Sequence, residues 1–159
     1  MRHSVLIRGL VIVVAAGLVV DAVVHAQVAS SYALVGTSVM SQADLFRLEA
    51  LLAVVAAAGV FVRPTRVTAL AALVVSVGGV GAVLMYTYVD PGVIGPVPDM
   101  FDPVWYPEKV ASLVGESVAA LAGIALVIVL RSTAPPAPLR SAPGVRRRRL
   151  AGGRPGRRP

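Results

Sequence analysis

Four long apolar runs, at residues 9–28, 43–62, 67–89 and 108–130, are separated by short polar breaks. About 20 predominantly apolar residues in a helix cross about 30 Å of hydrocarbon, so each run is long enough to span a bilayer once. The pattern predicts an all-α fold: a four-helix transmembrane bundle over residues 1–131, followed by a basic tail over 132–159. The breaks carry helix-boundary chemistry. Ser41-Gln42-Ala43-Asp44 has the form of a capping box, with the Ser41 side chain bonding the Asp44 amide. Arg63-Pro64 stops the second run, because a residue before proline is driven out of the α region; the third run is expected to start at Thr65. Pro107 and Glu108 open the fourth, since proline gives up an amide without an intrahelical partner and glutamate complements the positive end of the helix dipole.

Composition agrees with the pattern. The chain is 57% hydrophobic and 14% charged, with a mean hydropathy of +0.80, far from the roughly 25% charged residues of soluble domains. It has no cysteine, which excludes disulfides, thiolate metal sites, CxxCH haem attachment and cysteine nucleophiles. The Ala, Val, Gly and Arg bias is that of high-GC bacterial coding. The first run also admits a signal-peptide reading, with a basic start and Val24-His25-Ala26 as a small-residue cleavage site. Against it, Asp21 is an unusual guest in such a segment, and the apolar stretch continues to Val28.

Charge gives the runs a direction. Of the fifteen basic residues, all but Arg47 and Lys109 fall on one side if the spans alternate: Arg2, Arg8, Arg63, Arg66, Arg131, Arg140, Arg146 to Arg149, Arg154, Arg157 and Arg158. The positive-inside rule puts both termini and the Arg63–Arg66 turn in the cytoplasm of a bacterial plasma membrane. Loops near 29–41 and 90–107 then face outward. All the aromatic residues except Phe61 lie at or beyond the outer ends, as an interfacial belt does. The 90–107 loop is stiff with prolines and too apolar for a free linker, so it is expected to lie back on the bundle as an outer cap, with Tyr86, Trp105 and Tyr106 at its base.

Residues 132–159 have little to bury and are expected to be disordered. Their cluster Arg146, Arg147, Arg148 and Arg149 suits contact with anionic lipid headgroups, at roughly 1 kcal/mol per basic residue. Nucleic-acid binding is the weaker alternative, because no aromatic is interleaved for base stacking. Small residues at Ala111, Gly115, Ala119 and Gly123, and at Gly78, Gly79, Gly81 and Ala82, mark close helix contacts. These serve packing within the bundle, a homodimer or another membrane-protein partner.

The ionisable residues inside the runs carry the candidate chemistry. Asp21, Glu49 and Glu116 each interrupt an apolar segment, where a carboxylate has to be paired, protonated or functional. At about 1.5 Å per residue, all three fall roughly 10 to 13 Å below the outer surface. Gly81 is expected to leave room at that level on the third span. Asp21 and His25 share a helical face, as do Lys109, Ser112 and Glu116. Arg47 can pair locally with Asp44 or lean inward to the acids. The set Asp21, His25, Arg47, Glu49 and Glu116 therefore reads as a hydrogen-bonded network fixing helix register, or as a site for a proton, a cation or a small polar ligand. A metal centre from Asp, His and Glu is a further alternative, although the D-x-x-x-H spacing differs from the E-x-x-H of di-metal bundles. With no G-x-S-x-G, P-loop, H-E-x-x-H or GxGxxG in a fitting context, no catalytic residue is assigned, no cofactor is predicted, and an enzyme is the less favoured reading.

The combination of Asp21-Ala22-Val23-Val24-His25, the Ser41-to-Ala50 start of the second span, and the outer segment from Tyr88-Val89-Asp90-Pro91-Gly92 to Trp105-Tyr106-Pro107-Glu108-Lys109 resembles small four-span membrane proteins of high-GC Gram-positive bacteria. The resemblance covers residues 5–130 and implies no particular activity; DoxX-like proteins are similar in span count alone. Two functions follow from the residues: a membrane protein with a polar site in its outer half, or a non-catalytic assembly or interaction subunit of a membrane complex. Transport by a single chain is disfavoured by the absence of a detectable inverted repeat.

Overall fold

A computed structural model describes residues 2–132. The expectations for the tail, including lipid contact through Arg146, Arg147, Arg148 and Arg149, lie outside the described residues. The described residues form four helices, α1 (Arg2–Val28), α2 (Gln42–Val62), α3 (Arg66–Tyr88) and α4 (Pro107–Ser132), with a 3-10 turn at Ala29–Tyr32 after α1. Among the described residues there is no strand beyond two isolated bridges, Gly36 with Ser41 and Ile94 with Val97. All four helices are long and apolar enough to cross a membrane, as a multi-pass membrane protein requires.

The helix boundaries follow from local chemistry. The Asp44 amide donates to Ser41 Oγ at 3.2 Å and the Ser41 amide donates to Asp44 Oδ2 at 3.0 Å, completing the capping box that starts α2. Thr65 and Thr68 form a second box. Thr65 is thus the extended cap before α3 and Arg66 its first residue, one position later than expected. Pro107 is the first residue of α4, where its missing amide costs nothing. At the short-turn end, the Arg66 guanidinium donates to the carbonyls of Leu130 and Arg131 at 3.2 and 3.0 Å, closing backbone acceptors that a helix C-terminus leaves open.

The packing is the reverse of a soluble bundle. The interior is built from small residues, Ala43, Ala53 and Ala57 on α2, Ala69 and Ala72 on α3, and Ala119 on α4, with Val14 and Leu18 from α1. Large apolar side chains such as Ile12, Leu51, Val74 and Leu121 are exposed, and Asp21 and Glu116 are among the largest side chains buried completely. That inversion is stable only where the surrounding solvent is itself apolar. Small interfaces let helices approach, and the closest approach joins α1 to α4. A Cβ placed on Gly17 would lie 2.5 Å from the Gly115 carbonyl oxygen, and one on Gly115 would lie 2.8 Å from that of Gly17. Backbone meets backbone there, one helical turn from Asp21 and one residue from Glu116.

At the opposite end the two long loops fold onto the bundle and onto each other. The Asp102 amide donates to the Tyr86 carbonyl at 2.9 Å, and Thr37 Oγ1 donates to the Pro96 carbonyl at 2.9 Å. Gly92 and Gly95 supply the positive φ angles, 63° and 58°, that let the second loop turn back. Pro98, within this loop, is fully buried.

Candidate functional site

Asp21 on α1 and Glu116 on α4 meet through a serine. Ser112, one turn before Glu116 on the same face, places its Oγ 2.8 Å from Asp21 Oδ1 and 3.3 Å from Glu116 Oε1. A hydroxyl carries one proton, so Ser112 donates to one of these oxygens at a time, and the shorter contact goes to Asp21. His25, one turn after Asp21, sets Nδ1 2.7 Å from Asp21 Oδ1 and 3.2 Å from the Asp21 carbonyl. Both neighbours are acceptors, which fixes the proton on Nδ1. The result is a chain in the order Glu116, Ser112, Asp21, His25. With the Ser112 proton committed to Asp21, the serine oxygen can receive a hydrogen bond from Glu116 only if Glu116 carries a proton.

The cluster is buried and short of positive charge. Asp21 and Glu116 have no solvent exposure, and one oxygen of each acid, Asp21 Oδ2, Glu116 Oε2 and Glu49 Oε1, is buried without a hydrogen-bond partner. Buried carboxylates are normally paired and fully hydrogen-bonded. Here three acids face a single imidazole. Donor atoms of Asp21, His25 and Glu116 lie within 4.8 Å of one another, two oxygens and a nitrogen that a divalent cation can use. A cation held there would take the place of the His25–Asp21 hydrogen bond.

Glu49 enters from α2 and, with His25 and Ser112, lines a cavity of about 280 Å³ beneath the second loop. Its remaining walls are mainly apolar, among them Leu45, Phe46, Leu52, Val83 and Met100, with Tyr86 and Tyr106 near the loop. Phe46 packs edge-on against both His25 and Tyr32, each at a centroid distance of 5.2 Å. Lys109 holds the loop to α4: its ammonium donates to the carbonyls of Asp102 and Val104 and lies 5.4 and 5.7 Å from the rings of Trp105 and Tyr106. Tyr106 shares a 3.1 Å hydrogen bond with Tyr32; burial and that neighbouring hydroxyl push its phenol above the ordinary value of 10.0.

Several expected residues sit elsewhere. Arg47 is exposed and pairs with Asp44 at 3.2 Å, so its charge does not reach the acids. Trp105 lies in the second loop, tilted against Tyr88 at a centroid distance of 6.2 Å, while Tyr86 and Tyr106 line the cavity. The glycine that makes room is Gly79, not Gly81. A Cβ on Gly79 would collide with the Glu116 carboxylate, whereas one on Gly81 would meet nothing. Ser112 is the site residue the sequence left unassigned, and its spacing of four from Glu116 is the one signal that marks it. Compared with known proteins, the chain matches no family model, no curated protein and no solved structure.

Proposed function

We propose that this multi-pass membrane protein carries a proton- or cation-linked site in the outer half of its bundle, with Asp21 and Glu116 as the charged pair, Ser112 as the bridge and His25 as the counter-charge. The carrying observation is the pair of fully buried carboxyl groups on two different spans that share one serine proton and each keep an unpartnered oxygen. Uncompensated buried charge is expensive, at several kcal/mol per ion, so a proton or a bound cation has to balance what His25 does not. In this reading the protein resides in a bacterial plasma membrane with its termini and the Arg63–Arg66 turn in the cytoplasm, as the distribution of basic residues supports.

Infrared difference spectroscopy on the full chain in lipid vesicles tests the site. On titrating protons or a divalent cation such as Zn²⁺, the wild type is expected to show a carboxyl band that changes with occupancy. Asp21→Asn and Glu116→Gln each remove or shift that band while the protein still assembles. Superimposable spectra for the wild type and both variants throughout the titrations contradict the reading.

A further inference from the structure

We infer that the cavity beneath the second loop binds a small organic cation, an ammonium group on an apolar body, with Glu49 as its counter-ion. This rests on the reading of a polar site in the outer half, but it uses a different carboxylate and a different space from the Asp21–Glu116 pair. At about 280 Å³, the cavity falls just below the roughly 300–1,000 Å³ typical of small-molecule pockets, which limits it to a small ligand.

The walls select among ligand classes. The lining carries the carboxyl groups of Glu49, Asp102 and Glu108 against the ammonium of Lys109, which already donates to the Asp102 and Val104 carbonyls, so the balance opposes an anion. A neutral apolar molecule would leave the buried Glu49 Oε1 without a partner, at the cost that burial places on an unpaired carboxylate. A hydrated metal ion would find Leu45, Phe46, Leu52, Val83 and Met100 over most of its surroundings, none of which replaces a water. An organic cation satisfies both kinds of wall. Its charge meets Glu49 in a cavity that the aromatic residues Phe46, Tyr86 and Tyr106 also line, and its body takes apolar surface out of contact with water.

The cavity also has a side. Leu48 and Leu52, which line it, are 49% and 43% exposed, and Gly78 across from them on α3 is exposed. The α2–α3 side of the cavity therefore lies at the surface that faces lipid in a spanning bundle. An ammonium group can arrive there as a free amine or as the headgroup of a lipid.

The test uses purified full-length chain and benzyltrimethylammonium, whose fixed charge leaves only the protein's groups to titrate. Calorimetry in detergent is expected to show saturable binding that neither benzyl alcohol nor phenylacetate reproduces. Glu49→Gln weakens it by about tenfold or more, the scale of losing one partner from a buried charge pair. Leu52→Trp, which fills the cavity and keeps the carboxylate, also weakens it, and it carries the test if Glu49→Gln does not elute as a monodisperse species. In vesicles with a fixed phosphatidylglycerol fraction, weaker binding when the remaining lipid is phosphatidylethanolamine than when it is an uncharged glycolipid assigns the native ammonium to a lipid headgroup; equal binding assigns it to a free amine. No saturable binding by the wild type, equal binding of phenylacetate or benzyl alcohol, or wild-type affinity in either folded variant overturns the inference. If the infrared response of the Asp21–Glu116 pair persists in that case, the ligand class fails and the proposed function stands.

Discussion

Ser112 on α4 bonds Asp21 on α1 across 2.8 Å, joining residues 91 positions apart in the chain at the centre of an apolar bundle. The same oxygen faces Glu116 at 3.3 Å, so removing one hydroxyl alters the surroundings of two buried acids. Ser112→Ala is expected to lower stability by about 1–3 kcal/mol, the range for a buried polar group that loses its partner. In a cycle with Asp21→Ala, the double variant should cost less than the sum of the singles, because both remove the same bond. Thermal melts in one detergent measure this; simple additivity would show that the two residues do not act together.

Two adjacent glycines on α3 should respond oppositely to the same change. A methyl group at Gly79 collides with the Glu116 carboxylate, and one at Gly78 meets nothing within 4 Å. Gly79→Ala is expected to destabilise the bundle by about 1–3 kcal/mol, as overpacking does, and to perturb the carboxyl infrared band. Gly78→Ala is expected to be neutral or to stabilise by up to about 1 kcal/mol, because alanine is the better helix former. The comparison requires only paired melts, and equal effects at the two positions would count against the assigned rotation of α3.

The phenol of Tyr106 gives the loop end a dependence on alkaline pH. Its folded-state value is raised by burial and by Tyr32, whereas an unfolded tyrosine titrates near pH 10. The unfolded chain therefore releases this proton first. The contribution is fully present below about pH 10 and is lost as pH rises from there through the folded value. Stability of the wild type should fall more steeply above that point than stability of Tyr106→Phe, measured by denaturation at a series of alkaline pH values. Parallel curves would remove Tyr106 from the balance.

The elements of the fold were legible because their determinants are local. Ser41 and Asp44, Arg63 before Pro64, and Pro107 with Glu108 act within a turn of where they stand, and four runs of hydrocarbon-spanning length lie between them. Parts of the site could be read in the same way: Asp21 and His25 are one turn apart, and Ser112 and Glu116 are too. What joins the two pairs was not legible, because a serine in an alanine-rich helix looks like any other small residue until the facing helix is known. Depth along α3 pointed to Gly81, but two residues turn a helix by about 200°, and Gly79 is the one that faces α4. Arg47 had a partner both nearby and inward, and the exposed local pair with Asp44 is the one formed.

The contact of Gly17 with Gly115 divides the site mechanically. With no side chain between their backbones at that crossing, α1 and α4 have almost no freedom to slide past each other there, and Asp21, His25, Ser112 and Glu116 all ride on this pair. Glu49 and much of the apolar wall belong to α2 and α3. A shift of α2 or α3 would therefore change the distance from Glu49 to the other acids and the shape of the cavity, while the Asp21–Ser112–Glu116 geometry stayed fixed. The α1–α4 half of the cluster is an anchor, and the α2–α3 half is the adjustable jaw.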